Sequence, residues 1–69
     1  DVYTSMIDGY LKKKKAQEAE SIFREMKRNH VSPNVVTYNS MISGYFRMKL
    51  VDKAEGIFSE MKRNDVFPD

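Results

Sequence analysis

An internal repeat constrains this chain more than any other feature. Displacing the sequence against itself by 35 positions aligns residues 1–34 with residues 36–69 without a gap. Of those 34 pairs, 18 are identical, including Tyr3/Tyr38, Met6/Met41, Ile7/Ile42, Gly9/Gly44, Tyr10/Tyr45, Phe23/Phe58, Met26/Met61 and Pro33/Pro68. Similarity at a fixed period of this size marks repeat architectures, in which each unit buries its apolar face on a neighbour. The chain reads as two copies of one unit, residues 1–34 (short of its first position) and 35–69. Units of this kind belong in a longer array, because a stack needs about three or more of them for stability.

Each unit holds two helical patterns. The first is Tyr3, Met6, Ile7, Tyr10, repeated as Tyr38, Met41, Ile42, Tyr45. The second is Ala19, Ile22, Phe23, Met26, repeated as Ala54, Ile57, Phe58, Met61. The i, i+3, i+4, i+7 spacing places each set on one stripe of an α-helix, so all four stripes are expected in the core. Strand alternation is absent. We refer to the two helices of a unit as A and B. The turns between them fall at Lys12–Lys15 and Met48–Leu50, with Asp52 a candidate N-cap for the second helix B. The B helices are expected to end near Asn29 and Asn64, before Pro33 and Pro68, since a residue preceding proline disfavours α geometry. Asn34 and Asp69 stand where the next helix A would take its cap. Gly9 and Gly44 lie inside helix A, each costing about 1 kcal/mol against Ala. Their recurrence suggests close approach by helix B, with Ala19 and Ala54 as small partners. The expected fold is all-α: an α-solenoid of two helix-turn-helix repeats with four antiparallel helices.

Composition removes several function classes. There is no Cys, so disulfides, thiolate metal sites and cysteine nucleophiles are excluded. A single His, His30, cannot supply a multi-histidine metal site, and it is read as a surface loop residue. No paired acids, Ser/His set or glycine-rich phosphate loop appears, so no enzyme activity, metal or cofactor is expected. No apolar run is long enough to cross a membrane. The net charge of +2 is small, but it is unevenly placed. Residues 2–15 carry +3 and residues 36–49 carry +2, whereas residues 16–30 and 50–64 are each neutral. The A helices and the turns after them thus make one basic layer beside a neutral one. Helix A also bears a polar stripe at i, i+4, i+8: Thr4, Asp8, Lys12 and again Asn39, Ser43, Arg47. It is either a solvated face or a groove for a polyanion.

The run from Val35 to Tyr45, followed by Ala54-Glu55, Ile57-Phe58, Glu60-Met61-Lys62 and Pro68-Asp69, closely resembles a pentatricopeptide repeat. The resemblance covers the whole chain. Tetratricopeptide repeats, which bind peptides, have a 34-residue period and prefer Trp where Tyr3 and Tyr38 stand. The resemblance implies an α-solenoid that binds single-stranded RNA, mostly in mitochondria or chloroplasts and most abundantly in plants, in RNA processing and stabilisation. It implies one base per repeat, read by the residue after the first helix A tyrosine and by the last residue of the repeat. These are Thr4 with Asn34, resembling an adenine reader, and Asn39 with Asp69, resembling a uracil reader, for a predicted 5′-A-U-3′. Val36 fills the place of the base-sandwiching aliphatic residue, whereas Asp1 departs from the pattern at the aligned position. Lys12 and Arg47 are similar to the helix A cations that meet phosphate. Thr and Asn carry both donor and acceptor capacity, and a carboxylate accepts from a donor such as the uracil NH.

The expected partners are therefore single-stranded RNA and further repeats of the same chain. An alternative is a structural repeat segment in a large organellar ribonucleoprotein or transcription assembly, making protein or folded-RNA contacts. Neither reading needs a membrane.

Overall fold

The computed structural model describes residues 2–67. Four helices follow one another: α1 Val2–Lys12, α2 Ala16–Arg28, α3 Val35–Arg47 and α4 Val51–Arg63. No strand occurs among the described residues. The A stripes fall on α1 and α3 and the B stripes on α2 and α4, as expected for an α-solenoid of helix-turn-helix units.

All four helices stop in the same way. Lys14, His30, Lys49 and Asp65 have φ of 60°, 63°, 62° and 56°. Each sits one place past a helix C-cap, where a left-handed residue turns the chain out. After α1, Lys15 N–H donates to Tyr10 O at 2.9 Å and Lys14 N–H to Leu11 O at 3.0 Å. After α3, the same pair runs from Leu50 to Tyr45 at 2.8 Å and from Lys49 to Phe46 at 3.0 Å. Val31 and His30 close α2, and Val66 and Asp65 close α4, in the same pattern. These paired hydrogen bonds satisfy carbonyls that a helix end would otherwise leave open. His30 thus has a backbone role that its loop assignment did not convey.

The N-termini differ more. Asn34 caps α3, its Oδ1 accepting from Thr37 N–H at 3.1 Å. The B helices have no side-chain cap: Lys15 and Leu50 occupy those positions. Asp52 is therefore not the cap of α4. It lies inside the first turn, where a negative charge faces the positive end of the helix dipole.

Packing joins α1 to α2, α3 to α4, and α1 to α3. The two A helices are thus direct neighbours, while α2 and α4 are not packed as a comparable pair. Two ion pairs reach from α2 to α4 instead: Lys27 to Glu60 at 3.0 Å and Lys53 to Glu20 at 2.6 Å. The A helices thus pack side by side, and the B helices are joined across the units by ion pairs.

The core is formed by Ile7, Leu11, Ala19, Phe23, Met26, Tyr38, Met41, Tyr45, Ala54 and Met61. Phe23 meets Tyr38 edge-on, with ring centroids 5.8 Å apart and planes at 74°, the arrangement the ring quadrupoles favour. Two stripe members leave the core: Met6 is 39% exposed and Phe58 43%. Both lie on outward faces that neither unit covers. The glycines also correct the expectation. A Cβ at Gly44 would meet Leu11 at 2.9–3.0 Å, and one at Gly9 would meet nothing. The close approach is therefore between the A helices of adjacent units, not between A and B. Gly44 is the one that α1 requires to be small.

Two stitches recur within the units. Asn29 Nδ2 donates to Tyr3 Oη at 2.7 Å, and Asn64 Nδ2 donates to Tyr38 Oη at 3.0 Å. Each ties the end of helix B to the start of its helix A. Tyr38 also donates to Glu60 at 3.2 Å, and Glu60 in turn accepts from Lys27. Burial first, countered by the Asn64 bond and reinforced by the Glu60 carboxylate, pushes the Tyr38 phenol up.

Candidate nucleic-acid interface

The helix A polar stripe begins at the N-terminal ends of α1 and α3, where three side chains meet. Thr4, in the first turn of α1, has Oγ1 at 2.9 Å from Thr37 Oγ1 in the first turn of α3. Thr37 Oγ1 donates to Asn34 Oδ1 at 3.1 Å, and Thr37 N–H donates to the same oxygen at 3.1 Å. Thr4 and Asn34 are 30 positions apart in sequence, yet a single residue of the next unit bridges them. The α1–α3 packing brings this about, because it sets the starts of the two A helices side by side.

Thr4 is half-buried and Asn34 exposed, so the pair sits at an edge open to solvent. Thr37 beneath them is fully buried. Asn39 is exposed one residue past Tyr38. Asp69, its expected partner, lies outside the described residues, as does Asp1. Val36 is 56% exposed, so an aliphatic surface is available beside Thr37 at the start of α3.

The cations follow along the same helices. Lys12, in the last turn of α1, pairs with Asp8 at 3.2 Å, both groups being largely in water. Such exposed pairs are worth about 0–1 kcal/mol and exchange readily for another anion. Arg47 ends α3, is exposed, and has no ion pair among the described residues. Across the molecule, burial alone would raise the Glu20 carboxyl. The Lys53 ammonium, the Tyr45 hydroxyl beside it and Arg24 outweigh burial and hold the carboxyl below its usual value. The Tyr45 hydroxyl is buried without a well-formed hydrogen bond. Burial, and next the Glu20 carboxylate, push it up. These groups brace α2, α3 and α4 away from the polar edge.

No cluster of His, Cys, Asp or Glu suited to a metal ion occurs among the described residues. No described helix is long and apolar enough to cross a membrane.

The sequence reading missed Thr37. Its signal was present but slight: it is a Thr aligned with Val2, one place before an invariant-spaced Tyr, and nothing in the spacing marks it as buried. The Tyr–Asn stitches were also missed, although both partners are among the identical pairs.

The model of the PPR repeat family matches residues 1–43 and 33–69, two overlapping stretches that together span the chain. The chain belongs to the PPR repeat family. Its members are repeat modules that generally bind RNA, are typically non-enzymatic, and act typically in organelles. No curated protein matches the chain.

Proposed function

We propose that the chain reads single-stranded RNA at one base per repeat, with residues 1–34 and 35–69 as the two units. Thr4 with Asn34 takes adenine and Asn39 with Asp69 takes uracil, giving 5′-A-U-3′. Val36 lies against the face of a base, and Lys12 and Arg47 meet phosphates. The observation that carries this reading is that Thr4 and Asn34 are both hydrogen-bonded to Thr37 at a solvent-open edge of the A layer. Two short side chains with donor and acceptor atoms, held on rigid helix starts, match what an exposed Watson–Crick edge requires. Basic groups further along the same layer supply the sequence-independent attraction. The natural setting is an organellar RNA-processing or RNA-stabilising protein, a mitochondrial or chloroplast one, containing further repeats.

Affinity from two units is small. Base contacts of about 1–3 kcal/mol and stacking of about 1–3 kcal/mol per base compete with about 4–15 kcal/mol of association cost. The test therefore needs a method that reads weak binding. Isotope-labelled chain is titrated at low salt with short single-stranded oligoribonucleotides while amide shifts are followed. Shifts should concentrate at Thr4, Asn34, Val36, Asn39 and Arg47, favour A-U over U-A, and fade as salt rises. Shifts confined to the outer faces around Met6 and Phe58, with no response to base identity, would refute it.

The outer faces give the structural-segment reading its own support. Val2, Met6, Phe46 and Phe58 are exposed apolar side chains on the two ends of the stack, suited to further repeats or to a protein neighbour.

A further inference from the structure

The contacts between the units pair side chains across the junction, and each pair has counterparts 35 positions away on the faces that the junction leaves open. Inside the chain, Leu11 lies against Gly44, Phe23 meets Tyr38 edge-on, Lys27 pairs with Glu60, and Glu20 pairs with Lys53. The corresponding residues are Phe46 with Gly9, Phe58 with Tyr3, Lys62 with Glu25, and Glu55 with Glu18. In each of these the first residue belongs to the back of the second unit and the other to the front of the first. Leu11 and Phe23 are 3% and 4% exposed, whereas Phe46 and Phe58 are 52% and 43% exposed. A Cβ at Gly9 would meet nothing within 4 Å, so the place that Leu11 fills against α3 stands open against α1. Glu18, Glu25, Glu55 and Lys62 are all exposed.

We propose that a second copy of this chain docks front on back, in the register of the internal junction, and that Glu18 facing Glu55 keeps this stacking weak. Three of the four counterpart pairs suit such a contact: an aromatic side chain over a glycine, a ring against a ring, and an ammonium beside a carboxylate. The fourth does not. Where Lys53 answers Glu20 inside the chain, Glu18 stands opposite Glu55. Like charges set together across an interface oppose association. The apolar faces therefore supply the attraction, and the B-helix charges decide which neighbour is accepted. A copy carrying a cation at position 18 is accepted best. Front-on-back contact is heterologous, so it does not stop at two copies and growth continues with concentration.

The 69-residue chain and its Glu18→Lys variant are compared by sedimentation over a concentration series, with helicity followed by circular dichroism. Glu18→Lys should self-associate at about tenfold lower concentration than the unmodified chain, because an exposed repulsion becomes an exposed ion pair. Added salt should weaken association of the variant and leave that of the unmodified chain little changed, since there one attraction offsets one repulsion. Two further substitutions in the Glu18→Lys background test the direction of docking. Gly9→Leu fills the front and Phe46→Glu charges the back, both at exposed positions that the fold does not bury. Each blocked variant should be monomeric alone, and the two mixed should form a one-to-one complex and nothing larger. A Glu18→Lys variant that stays monomeric at its highest soluble concentration overturns the proposal. So does one that associates no more readily than the unmodified chain. Dimers that survive either block, or folded blocked variants that do not combine on mixing, overturn the front-on-back arrangement.

Discussion

Tyr38, Met41, Gly44 and Tyr45 on α3 are buried, whereas Tyr3, Met6, Gly9 and Tyr10, the same residues in the same order on α1, are exposed or half-buried. The B helices show the reverse: Phe23 on α2 is 4% exposed and Phe58 on α4 is 43%. One unit thus shows its front and the other its back. Among the described residues the interface between them is the only one of its kind, and each unit contributes to it the face that the other leaves open. In a repeat stack, burial belongs to the junction rather than to the residue.

Paired substitutions at equivalent positions break or sharpen that comparison, with stability followed by thermal or urea unfolding. The largest difference should be at the phenylalanines. Phe23→Ala should cost about 3–5 kcal/mol, enough to unfold most of the population, because it empties the site beneath Tyr38. Phe58→Ala should cost under about 1 kcal/mol, since the ring it removes is partly in water already. Equal losses would mean that the two faces are not as different as their exposure.

The glycines should differ in sign. Gly44→Ala forces a methyl against Leu11 and should lose up to about 2 kcal/mol, the overpacking outweighing the gain in helix propensity. Gly9→Ala meets nothing and should gain about 1 kcal/mol from propensity alone. A stabilising Gly44→Ala would show that α1 and α3 can part without cost.

The helix ends should behave alike in both units. Lys14→Gly and Lys49→Gly should each add about 0.5–1 kcal/mol, because glycine relieves the left-handed backbone while costing some unfolded-state entropy. A gain at one and not at the other would show that the two turns are unequal despite their shared hydrogen bonds.

The smallest effect expected is that of pH on the Glu20–Lys53 bridge between units. The Glu20 carboxyl is held below its ordinary value when folded. Its contribution is therefore present above the unfolded value of about 4.3 and is lost as pH falls through the folded one. Glu20→Gln should flatten the loss of melting temperature between about pH 5 and about pH 3. An unchanged slope would place the acid sensitivity elsewhere.

Much of this was legible in the residues. The period and the two stripes per unit gave four helices and their order, because a 3.6-residue pattern has few other ways to bury its apolar side. The pairing of Thr4 with Asn34 came from the family resemblance; in the fold each of the two is hydrogen-bonded to Thr37. The cap of α4 was misplaced because Asp52 is a good cap by type but sits two residues late. The left-handed residues were invisible because none of Lys14, His30, Lys49 and Asp65 is a glycine.

The sequence by itself determined the helices, the two-unit plan and the basic A layer, since periodicity, proline positions and charge placement are local properties of the chain. Only the tertiary structure decided which copy of each identical residue is buried, why Gly44 must be small while Gly9 need not be, and that Thr37 lies under Thr4 and Asn34. These depend on which surface of one unit faces which surface of the other, and two nearly identical sequences do not differ enough to say so.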